Sequence, residues 1–255
     1  MKIPNIYITS KGRFEKCKTA EIIEPKNNVF IVVEPKEYNL YKKNYSKHNY
    51  LVLDNNDKGL AYCRNYIKRH AEKNNEKILW LLDDDISNFY LRQNTKLIKQ
   101  KPEYILWNAV KEFQKYNISL GSLEYRQFAW SATKDIILNT FCDCVVYMDL
   151  NKLSNIYYNN DLKLKIDRDF CIRTIKDKKI TGRLTTYAFS TPPNGSNKGG
   201  LKEISYDKDG LEKEMCLYLV KYWGENICKH IVKKDGRNDL KIYWNNINSK
   251  QKTLF

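Results

Sequence analysis

Lys77-Ile-Leu-Trp-Leu-Leu-Asp-Asp-Asp85 is the stretch that decides how this chain is read. Residues 78–82 form a nearly unbroken apolar run, the pattern of a central parallel strand covered on both faces, and it ends in three consecutive carboxylates. Open α/β sheets bind ligands outside the carboxyl ends of their strands, so the acidic triplet falls where a site is expected. If the chain stays extended, alternation puts Asp83 and Asp85 on one side. Like charges this close repel unless a cation sits among them, and Mg2+ or Mn2+ typically takes one or two protein carboxylates plus diphosphate oxygens. That geometry suits a nucleotide diphosphate sugar, with Asp83 and Asp85 as candidate metal ligands and Asp84 beside them on the donor. The plainer alternative is that Asp85 or Ser87 caps a helix while the others face water.

Outward from this stretch, short apolar runs at 3–8, 29–33 and 50–53 predict further strands of an α/β sheet. Leu60, Cys63, Ile67 and Ala71 recur at helical spacing, predicting a helix from near Gly59 and a βαβ unit. Pro102 suits the first turn of a helix whose apolar positions are Ile105, Leu106, Ala109, Val110 and Phe113. Strands are expected at 118–123, 128–132, 142–148 and 185–189, and helices at 167–175 and 211–223, with a mobile loop at 191–200 and a basic tail. The expectation is one Rossmann-like domain over 1–222, a mixed, mostly parallel sheet flanked by helices. Residues 223–255 are expected to add a C-terminal helical and basic elaboration packed on it. At 255 residues a second full domain would be cramped.

A nucleotide needs more than a metal. Ser10, Lys11, Gly12 and Arg13 follow the first strand, where a turn can present N–H groups and cations to phosphate. Glu34 and Pro35 follow the second, placing a carboxylate to accept hydrogen bonds from a base or ribose; Arg64 and Asn65 sit early in the next helix. Each alone reads equally as a surface residue; placement after successive strand ends is what joins them. Asp167-Arg-Asp-Phe-Cys-Ile-Arg173 sets Asp167 and Asp169 at a helix start, as candidates for the base that deprotonates an acceptor hydroxyl or as ordinary N-caps. Lys198 and Gly199, in Ser196-Asn-Lys-Gly-Gly200, are placed to close over the diphosphate, or form a plain surface turn.

The formal charge of +15 favours a polyanionic partner, nucleic acid first, although a Lys-, Asn-, Ile- and Tyr-rich composition also arises from an AT-rich genome. Seven cysteines without disulfide or CxxC spacing read as reduced core residues, and three scattered histidines give a zinc site little support. With no basic-apolar leader and no apolar run of about 20 residues, the expectation is a soluble, cytoplasmic protein.

Ile6-Tyr-Ile-Thr-Ser-Lys-Gly-Arg13, Val32-Val-Glu-Pro-Lys-Glu-Tyr38, Gly59-Leu-Ala-Tyr-Cys-Arg-Asn-Tyr-Ile-Lys68, Trp80-Leu-Leu-Asp-Asp-Asp-Ile86 and Phe128-Ala-Trp130 together resemble the TET-associated glycosyltransferases of phages and bacteria, relatives of the glycosyltransferase-like domain of the GREB1 proteins. Asp167-Arg-Asp-Phe170 and Lys198-Gly-Gly-Leu201 extend the match in order, and the segment beyond Tyr222 lies outside it. The resemblance implies a GT-A fold and transfer of sugar from a nucleotide diphosphate sugar, UDP-linked, to hydroxymethylated pyrimidines such as 5-hydroxymethylcytosine in double-stranded DNA of a bacteriophage. By motif match, Asp83 and Asp85 (the DXD pair) would hold Mn2+ or Mg2+, Arg64 and Glu34 would contact the nucleotide, and Asp167 would be the base. Ile166 stands where many glycosyltransferases carry Glu, which leaves Asp167 against Asp169 open.

Transfer to a base in DNA requires reaching it in the major groove or extruding the nucleotide. Tyr125, Arg126, Phe128 and Trp130 read as a core stripe, with stacking on a base or sugar as the alternative. Arg126 and the basic cluster Lys229, Lys233, Lys234, Arg237 and Lys241 are candidate DNA contacts, or a solvated face. Three readings compete with DNA glycosylation: a glycosyltransferase acting on a protein or glycan, a non-catalytic nucleic-acid-binding module of the same fold, and a metal nuclease.

Overall fold

The computed structural model describes residues 3–192 and 210–247. The run at 78–82 is strand β4, Ile78–Asp83, and it lies between both cores: Leu79 and Leu81 join one cluster, Trp80 and Leu82 the other. Strands β1 (Asn5–Thr9), β2 (Val29–Val33) and β3 (Asn49–Val52) pair with it in parallel, in the order β3-β2-β1-β4. Their carboxyl ends therefore share one edge, with Thr9 in register with Asp83.

The sheet continues through β9 (Val145–Asp149), β7 (Leu120–Tyr125), β10 (Thr181–Ser190), β5 (Asn88–Gln93) and β6 (Lys96–Gln100), with β8 (Ile136–Leu138) on β10. Seven of its ten strands (β1, β2, β3, β4, β6, β7 and β10) run one way; β5, β8 and β9 run the other. One face carries α3 (Gly59–Lys73), α6 (Ile166–Lys176) and α7 (Leu211–Trp223). The other carries α1 (Lys18–Ile22), α2 (Tyr38–Asn44) and α4 (Pro102–Lys115), whose Ile105, Leu106, Ala109, Val110 and Phe113 are all buried. Gly121 of β7 makes room for Phe113: a Cβ there would stand 2.6 Å from the ring.

Three expectations are corrected. Residues 128–132 are not a strand; β7 runs straight into a single turn, α5 (Arg126–Ala129), of which only Ala129 is buried. Between the acidic triplet and Pro102, where no strand was expected, lies the β5–β6 hairpin. The basic tail contains a second hairpin, β11 (Cys228–Val232) and β12 (Asn238–Ile242), whose Cys228 and Leu240 enter the main core, while Ile227 and Ile247 pack on Ile172 and Ile175 of α6. All seven cysteines are unpaired thiols, six of them buried. No helix among the described residues is long and apolar enough to cross a membrane.

Candidate functional site

The carboxyl ends of β1, β2 and β4 enclose a cleft of about 250 Å3 lined by Ser10, Lys11, Arg13, Glu34, Gly59, Leu60 and Asp83–Asp85. Gly59, at φ +87°, lets the chain turn into α3 at the cleft wall, a conformation that favours glycine. No helix follows the triplet, so Asp85 and Ser87 cap none; β5 begins at Asn88. The side chains of Asp83 and Asp85 are 32% and 24% exposed, that of Asp84 only 7%.

Two guanidiniums hold four carboxylates here. Arg13 pairs with Asp84 and, at 3.2 Å, with Asp85. Arg64 bridges Asp167 and, at 3.1 Å, Asp83. Four carboxylates against two cations leave an excess of two negative charges. Burial raises Asp84 to about 6, with Arg13 and Ser10 opposing. Removal from water likewise raises Asp83, with Arg64 opposing and Asp85 and Asp167 adding to it. Among the described residues no three His, Cys, Asp or Glu side chains form a ready metal cage. A divalent ion bound between one or two carboxylates and a diphosphate needs none, and its charge matches the local excess.

The remaining candidates divide. Ser10 donates to Asp84 and shares a 2.6 Å hydrogen bond with Tyr41. Lys11 donates to Glu34 at 2.8 Å and to Asp57 at 2.6 Å. Glu34 is 6% exposed; its Oε1 also accepts from the Asp57 N–H, whereas its buried Oε2 has Lys36 Nζ 3.5 Å away as an ion-pair partner. Arg64 and Asn65 do not line the cleft. Arg64 is buried as the bridge between β4 and α6, and Asn65 holds residue 158 through the backbone N–H and C=O of Tyr158 at 2.8 Å each.

Asp167 and Asp169 lie in the first turn of α6, and neither is its N-cap, which is Lys165. Asp167 is 26% exposed at the Arg64 bridge. Asp169 is fully buried, accepting from Arg173 Nε at 2.6 Å and Trp223 Nε1 at 2.9 Å, which ties α6 to α7. Lys198 and Gly199 lie outside the described residues.

One carboxylate here was not singled out from the sequence. Asp143, just before β9, accepts from Tyr125 Oη at 2.9 Å through Oδ2, while its buried Oδ1 has no donor. Burial, followed by the charge of Asp167, raises it to about 6, with Arg168 opposing. Its position depends on β9 pairing antiparallel beside β4, with Asp83 N–H donating to Cys144 O at 2.8 Å, a long-range pairing with no local sequence signal.

Of the expected DNA contacts, Lys233 is paired with Asp239 at 2.5 Å and Arg237 with Asp235 at 2.7 Å, while Lys234 is exposed. Phe128 and Trp130 are each 56% exposed rather than core, and Arg126 lies over the Tyr90 ring at 5.2 Å.

S. aureus TarS 1-349 is a structural neighbour with a TM-score of 0.52 and 14% identity, covering 87% of this chain and 72% of its own. The same fragment in complex with UDP gives 0.51 with the same identity and coverage. Mannosyltransferase PcManGT from Pyrobaculum calidifontis, in complex with GDP-Man and Mn2+, gives 0.49 at 15% identity over 75% of this chain and 55% of its own. No curated protein matches the sequence. The sheet order and the cleft at its carboxyl edge are those of a GT-A fold, and the TET-Associated Glycosyltransferase family model matches residues 4–200, so the chain belongs to that glycosyltransferase family.

Proposed function

We propose that the protein transfers a sugar from a nucleotide diphosphate sugar, UDP-linked, to the hydroxyl of a 5-hydroxymethylpyrimidine in DNA. The observation that carries the donor half is a cleft with surplus carboxylate charge on one wall, at Asp83–Asp85, and the buried carboxylate of Glu34 on another. Glu34, Lys11 and Arg13 line the cleft; in this reading Glu34 accepts from a base or ribose, and Lys11 and Arg13 bring positive charge to the diphosphate. Asp83 and Asp85 would hold Mn2+ or Mg2+, which when bound neutralises charge developing on the leaving diphosphate. The neighbour bound to UDP supports this choice of donor.

Asp167 is the base in this reading. It is part-exposed beside Asp83, whereas both oxygens of Asp169 are occupied inside the core. In an inverting reaction the acceptor hydroxyl gives its proton to Asp167 as its oxygen bonds the anomeric carbon and the bond from that carbon to the diphosphate breaks. Arg64 sets the carboxylate's position, held in turn by Asp83. The DNA acceptor rests on the family and on the charge of +15.

The test is mass spectrometry of nucleosides from hydroxymethylated and unmodified DNA after incubation with the protein, Mn2+ and a panel of nucleotide sugars. The expected result is a pentose or hexose increment on hydroxymethylated DNA alone, lost in Asp85→Ala. Donor hydrolysis without transfer to any DNA would move the acceptor to a protein or glycan.

A further inference from the structure

Beyond Asp143, the same sheet edge continues into a second concavity that no cleft residue shares. It is a groove of about 550 Å3 between α5 and the β5–β6 hairpin, lined in part by Thr95, Leu97, Tyr125, Arg126, Trp130 and Ser190. It abuts the carboxylates through two side chains. Tyr125 forms its wall and donates its hydroxyl to Asp143, and Ser190 bonds Ser87, two residues past Asp85, at 3.0 Å.

The chemistry of the lining is selective. Among the described residues it holds one guanidinium and no carboxylate, and Arg126 has no ion-pair partner among them. Trp130 is held by its own Nε1, which donates to Gln127 O at 3.1 Å, yet no other ring or cation among the described residues packs on the indole. Phe128, on the same turn, meets Tyr125 edge-on at 6.4 Å and is 56% exposed. An exposed indole fixed by a backbone hydrogen bond is an ordered π surface, and the cation beside it suits a phosphodiester.

We infer that this groove is the acceptor subsite, in which Trp130 stacks on an extruded nucleobase and Arg126 contacts its flanking phosphate. The inference rests on the DNA reading of the acceptor and names the residues that meet it. A glycan would also stack on an indole, but a guanidinium without an ion pair among the described residues, in a described lining without carboxylates, favours the polyanion.

Fluorescence anisotropy with short labelled duplexes tests it, using one in which a 5-hydroxymethylcytosine faces a mismatched base and one fully paired. The wild type should bind the mismatched duplex more tightly, because its target base is already unpaired. Trp130→Ala should weaken that binding about 5- to 150-fold, the range for loss of one base stack, and Trp130→Phe should restore most of it. Thermal unfolding of both variants checks the fold. If Trp130→Ala binds both duplexes as the wild type does, the subsite is wrong while the DNA acceptor stands. If the wild type binds neither duplex, both fall. Loss of maltooligosaccharide binding in Trp130→Ala, with DNA binding intact, would assign the groove to a glycan instead.

Discussion

Asp143 takes a hydrogen bond from Tyr125 through one oxygen and leaves the other without a donor, beside a site already carrying surplus negative charge. Its carboxyl ionises near 3.8 in the unfolded chain and at about 6 in the folded one, so the folded state holds the proton longer. Stability from this group therefore falls as pH rises between those values, and the loss is complete above about 6. Asp143→Asn, which cannot ionise, should unfold like the wild type near pH 4 and be more stable at pH 7.5 in chelator, by up to about 3 kcal/mol. Denaturant titration at the two pH values checks this; equal stability at both would show that Asp143 ionises without penalty. At this scale the sequence made the acidic triplet legible, because its carboxylates end a local apolar run. It hid Asp143 and the bridging place of Arg64, because both depend on partners far along the chain: Asp83 for one, Asp167 for the other.

Helix α6 and helix α7 meet through Asp169, whose buried carboxylate is satisfied by Arg173 on its own helix and by the Trp223 indole on the next. Trp223→Phe keeps most of the apolar contact and removes one donor from a buried charge, which costs about 1–3 kcal/mol. A Tm lowered by several degrees is expected, against little change for Tyr222→Phe at a position 52% exposed. The amphipathic helices were readable because their apolar stripes face the sheet; α4 buries every position its spacing named, and α3 buries Cys63, Ile67 and Ala71 with Leu60 half-buried at its start. The hairpins were not. The β5–β6 turn is Asn94-Thr95, with Asn94 at φ +56° and no glycine to mark it. In the second hairpin Asp235-Gly236 did carry a turn signal, with Gly236 at φ +82°, but the lysines around it read as a solvated tail.

Across the whole molecule the surplus of positive charge is unevenly available. Lys229 and Lys241 face each other across β11 and β12, a like-charge pairing that is unfavourable without an anion, and neither has an ion-pair partner among the described residues. In plots of DNA affinity against salt, Lys229→Ala with Lys241→Ala should reduce the slope by about 2. Lys233→Ala should change it less, since that cation is already held by Asp239. The direction reversal where β9 joins β4 also has a genealogical meaning. Every described residue that lines the cleft comes from one stretch of chain, from Thr9 to Asp85. On the proposed function, a recombination just beyond that point would exchange what receives the sugar while leaving the lining of the cleft that delivers it. The incoming segment would have to restore two links: a strand that pairs with β4, and a carboxylate for Arg64.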